Sequence, residues 1–190
     1  MNLEKKSDLF YLAGACAFVL VFLGILGISR AIYAAPANES DSQFAMKAAQ
    51  GGVAEVQMGQ LAESKGTSEA VKEFGKRMVN DHSKANEQLK QIAQQENVDL
   101  PTDMNKSDQA TYDRLSKLSG AEFDREYAKL MVKDHEKDVA EFQRESRIGK
   151  DDSIKNFAAQ TLPTLQEHLQ LARQMEKSAM TVGNSSDGKM

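Results

Sequence analysis

Over most of its length the chain repeats apolar residues in steps of three and four, the spacing that lines one face of an α-helix. Val71, Phe74, Met78, Ala85, Leu89 and Ile92 form one stripe, and Phe123, Tyr127, Met131, Val139 and Phe142 a second. Ile154, Phe157, Thr161, Leu165, Leu169, Ala172 and Met175 form a third, and Phe44, Ala48 and Met58 mark a fourth. A helix with one apolar stripe gains most of its stability from packing that stripe against a neighbour. Four of them joined by mostly short connections predict an all-α fold, an antiparallel four-helix bundle. Composition agrees: 41% of the 190 residues are hydrophobic but only 6% aromatic, with no Trp and three prolines.

Stop and start signals divide the stripes. The first long helix is expected from Ser42 to Lys65, with Gly66 as its stop. Gly51-Gly52 inside it is unfavourable for a helix, so the pair is expected where a neighbouring helix comes close. The second long helix runs from Ser68 to Asn97, capped by Thr67 or Ser68. Val98 to Asn105 contains Pro101 and reads as a loop; a short extra helix, Ser107 to Leu118, is expected to lie across one end of the bundle. Ser119-Gly120-Ala121-Glu122 resembles a capping box and opens the third long helix, which Gly149 ends. The fourth starts at Asp151 or Asp152 and contains Pro163, which predicts a kink rather than a break. Residues 181–190 are Gly/Ser-rich and predicted disordered.

Leu9 to Ile28 is an apolar run long enough to cross a bilayer as an N-terminal apolar helix. Lys5 and Lys6 precede it and only Arg30 follows, so the N-terminus is expected inside and the rest outside, in the periplasm or its equivalent. Ala34-Ala35-Pro36-Ala37 would also suit signal-peptide cleavage, and anchor and signal deliver the domain to the same side. The chain thus divides into an anchor or signal at 1–37, a bundle domain at 38–180 and a tail at 181–190. A membrane partner is expected only through the first helix, if it is uncleaved; homo-oligomerisation stays open. The formal charge is −4; residues 1–35 hold three basic and two acidic groups, so removing them leaves −5. A mildly acidic surface with no basic stripe argues against nucleic acid. Cys16 is the only cysteine and lies in the apolar run, so any metal site in the domain must use His and carboxylates.

The chain has three histidines, and each continues an apolar stripe: His82 between Met78 and Ala85, His135 between Met131 and Val139, His168 between Leu165 and Ala172. Each also falls near the midpoint of its predicted helix, as does Glu55 in the first. Antiparallel helices of similar length bring their midpoints to one level, so Glu55, His82, His135 and His168 are expected to converge at the bundle waist. Three imidazoles and a carboxylate would suit Zn, Fe or Cu. The competing expectation is four buried polar side chains, each satisfied by its own partner. The acids that precede the histidines, Asp81, Asp134 and Glu167, lie about 100° around the helix and are expected to face solvent or support the ring nitrogens. Met78-Val79-Asn80-Asp81-His82 and Met131-Val132-Lys133-Asp134-His135 also suggest an internal duplication of a two-helix unit.

Those two phrases, with Ala48-Ala49-Gln50-Gly51-Gly52 before Glu55 and Thr161-Leu162-Pro163-Thr164-Leu165-Gln166-Glu167-His168-Leu169, resemble the bacterial domain-of-unknown-function 4142 family over roughly 40–177. The resemblance implies a ferritin-like bundle in the bacterial envelope and carries no established activity. Di-iron bundles use Glu-x-x-His, yet the residues three before these histidines are Val79, Val132 and Leu165. That carboxylate-rich site is absent, and its oxidation chemistry is not carried over. There is no phosphate-cradling glycine loop and no serine on an elbow-like turn. The sequence alone therefore predicts a non-enzymatic envelope or stress-related interaction protein. A metal-binding or sequestering bundle is the alternative, and a metal-dependent oxidoreductase comes third.

Overall fold

A computed structural model describes residues 39–186. The run Leu9–Ile28, with its membrane reading and Cys16, lies outside the described residues. Five helices follow one another: α1 (Glu39–Lys65), α2 (Glu69–Glu96), α3 (Lys106–Ser116), α4 (Gly120–Ile148) and α5 (Asp152–Ser186). Among the described residues there is no strand, and no helix is long and apolar enough to cross a membrane. The chain is an all-α helical bundle.

Local chemistry accounts for most boundaries. Ser68 Oγ accepts from the Val71 amide at 3.3 Å to open α2, and Asn105 Oδ1 accepts from the Ser107 and Asp108 amides to open α3. Asn97 ends α2 in the left-handed region at φ 55°. The capping box expected at Ser119 does not form, because Ser119 makes no side-chain cap bond. Gly120 follows at φ 60°, a backbone turn that takes the first amides of α4 away from the hydroxyl. Helix α5 runs through Pro163 without a break. It also continues to Ser186, so the stretch predicted to be disordered from 181 begins inside a helix. Once a helix is nucleated each added residue gains one hydrogen bond, and the penalty of one glycine is only about 1 kcal/mol. Residues 187–190 lie outside the described range.

The hairpins α1–α2 and α4–α5 match each other at a fixed difference of 83 in residue number. Gly66 and Gly149 each donate to the carbonyl four residues back, Ala62 and Glu145, at 2.9 Å. The amides of Thr67 and Ser68 donate to Asp124 at 2.9 and 2.8 Å. Those of Lys150 and Asp151 donate to Asp41 at 2.9 and 2.6 Å. Ser68 caps Val71, and Asp151 caps Ile154 at 2.9 Å. The halves are therefore repeats, α1 matching α4 and α2 matching α5. This corrects the duplication suggested by the two Met-Val-x-Asp-His phrases, which are 53 residues apart and lie on α2 and α4, helices that do not correspond. Asp124 is buried and joins the two halves. Asp124→Ala would remove two charge-assisted bonds and should lower stability by about 3 kcal/mol in urea unfolding. A change below about 0.5 kcal/mol would show the turn to be held by other means.

The close approach expected at Gly51-Gly52 is found at Gly52 alone. A Cβ on Gly51 would meet nothing within 4 Å, whereas one on Gly52 would stand 2.0 Å from the side-chain oxygen of Asn86 on α2. Backbones come together at Gly59 and Gly75, where an added Cβ would stand 2.7 Å from the Gly75 carbonyl oxygen or 2.6 Å from that of Gly59. Helix α3 packs on α1 and α4, with Leu115 fully buried in the core. That core has two apolar parts. One holds Met58, Phe74, Met78, Phe123, Tyr127 and Met131; the other holds Phe44, Leu89, Phe142, Ile154, Phe157 and Leu165. On every long helix the residue at the junction is polar: Glu55, His82, His135 and His168, all buried.

Candidate metal centre

The four polar residues meet. One nitrogen from each of His82, His135 and His168 lies within 4.8 Å of one from each of the others. Ring centroids are 5.3 to 5.9 Å apart. The Phe74 ring stands 6.0 and 6.3 Å from those of His135 and His168 and closes the layer on the Met78 side. Glu55 joins from α1, with Oε2 2.8 Å from His82 Nδ1 and Oε1 3.5 Å from His135 Nε2.

The hydrogen bonds sort the six ring nitrogens into two sets. His82 Nδ1 faces the Glu55 carboxylate. His135 Nδ1 lies 2.9 Å from the Met131 carbonyl, and His168 Nε2 lies 3.0 Å from Asp81 Oδ2. A carbonyl or an ionised carboxylate can only accept, so each of these nitrogens carries the proton when Glu55 is ionised. The remaining three, His82 Nε2, His135 Nε2 and His168 Nδ1, are buried and have no hydrogen-bond partner. In neutral rings they are bare lone pairs, and a buried acceptor without a donor costs about 1–3 kcal/mol. Burial holds all three imidazoles neutral, each titrating at about 4. Burial pushes Glu55 the other way, to about 7.

Neutral imidazoles, protonated on one nitrogen by an oxygen partner and bare on the other, have the arrangement that metal-binding histidines require. The distances fit as well. If all three separations were at the 4.8 Å limit, a point equidistant from the nitrogens would lie about 2.8 Å from each, so inward shifts of about 0.7 Å would reach Zn–N bond lengths. Glu55, expected as a fourth ligand, is outside the converging group. Its Oε2 is engaged by the His82 ring N–H, and it serves His82 as Asp81 serves His168 and the Met131 carbonyl serves His135.

Of the acids next to the histidines, Asp81 supports a ring, though on another helix, and Glu167 meets Arg77 Nη1 at the surface, 2.6 Å away. Asp134 instead joins a group that sequence reading missed. Asp138 and Asp108 lie near Glu55 and Asp134 around one small cavity. Burial and the charge of Asp108 lift Asp134 to about 6 against the opposing pull of Lys137 and Lys133, while burial and Glu55 raise Asp138 well above the usual carboxylate range. Asp138 sits one turn beyond His135 on the same face, a spacing that could have revealed it. It is also the counterpart of Glu55 in the repeat. A larger cavity of about 390 Å³ reaches Glu55 and His82 from the surface.

Residues 29–175 match the model of the domain of unknown function DUF4142, and the chain belongs to this family. Among solved structures it is similar to that described as the crystal structure of a DUF305 fragment from Deinococcus radiodurans, at 15% identity and a TM-score of 0.65. The similarity covers 77% of this chain and 99% of that one, and at such identity it speaks for the fold alone. No curated protein matches the chain.

Proposed function

We propose that the protein is an extracytoplasmic metal-binding bundle that holds one ion of the zinc, copper or iron group on His82, His135 and His168. The observation that carries this reading is three buried histidines with one nitrogen from each within 4.8 Å of the others, each ring holding one partnerless nitrogen while an oxygen acceptor engages the other. Three neutral nitrogen donors suit borderline metals better than magnesium or calcium. The lack of Glu-x-x-His favours binding or sequestration over di-iron oxidation chemistry. We read the four long helices as antiparallel and ferritin-like. Asp124, near the start of α4, accepts from the amides of the turn between α1 and α2, and Ser153, near the start of α5, bonds Glu96 at the end of α2. These contacts support a crossover that carries α3 along the bundle.

The test is metal content. The full chain, equilibrated with zinc and dialysed, should retain about one ion per molecule, and each of His82→Ala, His135→Ala and His168→Ala should retain none. Wild-type protein that emerges empty, or retention unchanged in the variants, would overturn the reading.

A further inference from the structure

Beside the nitrogen cluster is a cavity of about 40 Å³ between α1, α3 and α4. It is lined by Glu55, Asp108, Asp134 and Asp138, with Lys137 as the one basic residue. We propose that this cavity is a second, separate cation site, built from oxygen and suited to a hard divalent ion of the manganese, magnesium or calcium class. Size is the first argument. The space exceeds the roughly 10–15 Å³ needed by one water, leaving room for an ion with part of its hydration shell.

The donors are the second argument. Four carboxyl groups from three helices face one volume, and among the described residues none of them pairs with a lysine or arginine. Glu55 is 5% exposed; its Oε2 is committed to His82, and its Oε1 stands 3.5 Å from His135 Nε2 without forming a hydrogen bond to it. A buried carboxylate oxygen without a donor calls for a positive partner. Gly51 also lines the cavity, and a Cβ there would meet nothing within 4 Å, so the space stays open on that side.

The third argument is α3, whose Leu115 anchors it in the core while its first turn reaches the cavity. Its N-cap residue Asn105 grips Asp108 twice, donating to Oδ2 at 2.6 Å and accepting from the amide at 3.0 Å. That grip fixes the aspartate at the waist opposite Asp134 and Asp138. Oxygen donors without imidazole select against the ions that the histidines prefer, so the two sites would hold different metals side by side.

Manganese is the probe, followed by electron paramagnetic resonance on the full chain with and without one equivalent of zinc. Wild type should bind about one Mn²⁺ in the submillimolar range. Asp108→Asn should weaken binding about tenfold by removing a charged oxygen ligand, with helical content unchanged. Lys137→Gln should tighten it several-fold, the opposite of what a salt-bridged structural cluster would give. No saturable Mn²⁺ below about 1 mM, or affinities unmoved by both substitutions, would overturn the proposal. Failure of the zinc assay with Mn²⁺ binding intact would remove the histidine site alone.

Discussion

Zinc should raise the stability of the wild-type protein and leave each single histidine variant unmoved. At a free concentration one hundred times the dissociation constant, a ligand bound only to the folded state adds about 2.7 kcal/mol. For a bundle of this size that corresponds to an upward shift of the midpoint of roughly 5–10 °C. Because one ion would need all three nitrogens, loss of any ring should erase the whole shift. The metal-free proteins separate the effects. There, His→Ala removes packing and one oxygen partner, so each variant shows its own loss without any contribution from an ion. Thermal unfolding of wild type and three variants, each with and without zinc, measures both. Equal zinc shifts in all four proteins would rule out a shared ion.

The second large effect is expected at Gly75, where α1 and α2 meet backbone to backbone. Alanine there normally strengthens a helix by about 1 kcal/mol. Here its Cβ would be built 2.6 Å from the Gly59 carbonyl oxygen and 2.8 Å from Ala62 Cβ. The first obstacle is backbone, which can yield only if α1 and α2 separate. Overpacking of this kind costs about 1–3 kcal/mol beyond the propensity gain. We expect Gly75→Ala to destabilise by about 2 kcal/mol net and Gly59→Ala/Gly75→Ala by more. Separation of these helices would also stretch the 2.8 Å contact between Glu55 and His82, so zinc affinity should fall with stability. A stabilised Gly75→Ala protein would mean that the helices are less tightly joined than described.

The stripes made the helices legible, and the helix midpoints located the histidine layer, because periodicity and register are both linear properties of a sequence. Glu55 was found for the same reason. Its role was not, since whether a carboxylate meets an ion or a ring N–H depends on about a Å of side-chain reach. Gly59 was passed over because a single glycine in a helix looks the same whether it faces solvent or another backbone. The more conspicuous Gly51-Gly52 drew the expectation instead. Asp108 was invisible for a different reason: its distance from Glu55 depends on how the connection after α2 travels. The repeat was hidden by its own chemistry. Ser68 corresponds to Asp151 and Glu55 to Asp138, pairs that conserve capping or charge while changing the letter.

Asp41 and Asp124 give the repeat a further meaning. Each turn is completed by a carboxylate from the opposite hairpin, so neither hairpin alone contains the acceptor that its own turn amides use. The two halves are mutually dependent at both ends, and the histidine layer ties them again at the middle. Such a molecule has no natural line of cleavage between its halves. Whatever loosens one turn withdraws an acceptor from the other half, and the chain behaves mechanically as one clasped unit rather than two helical pairs laid together.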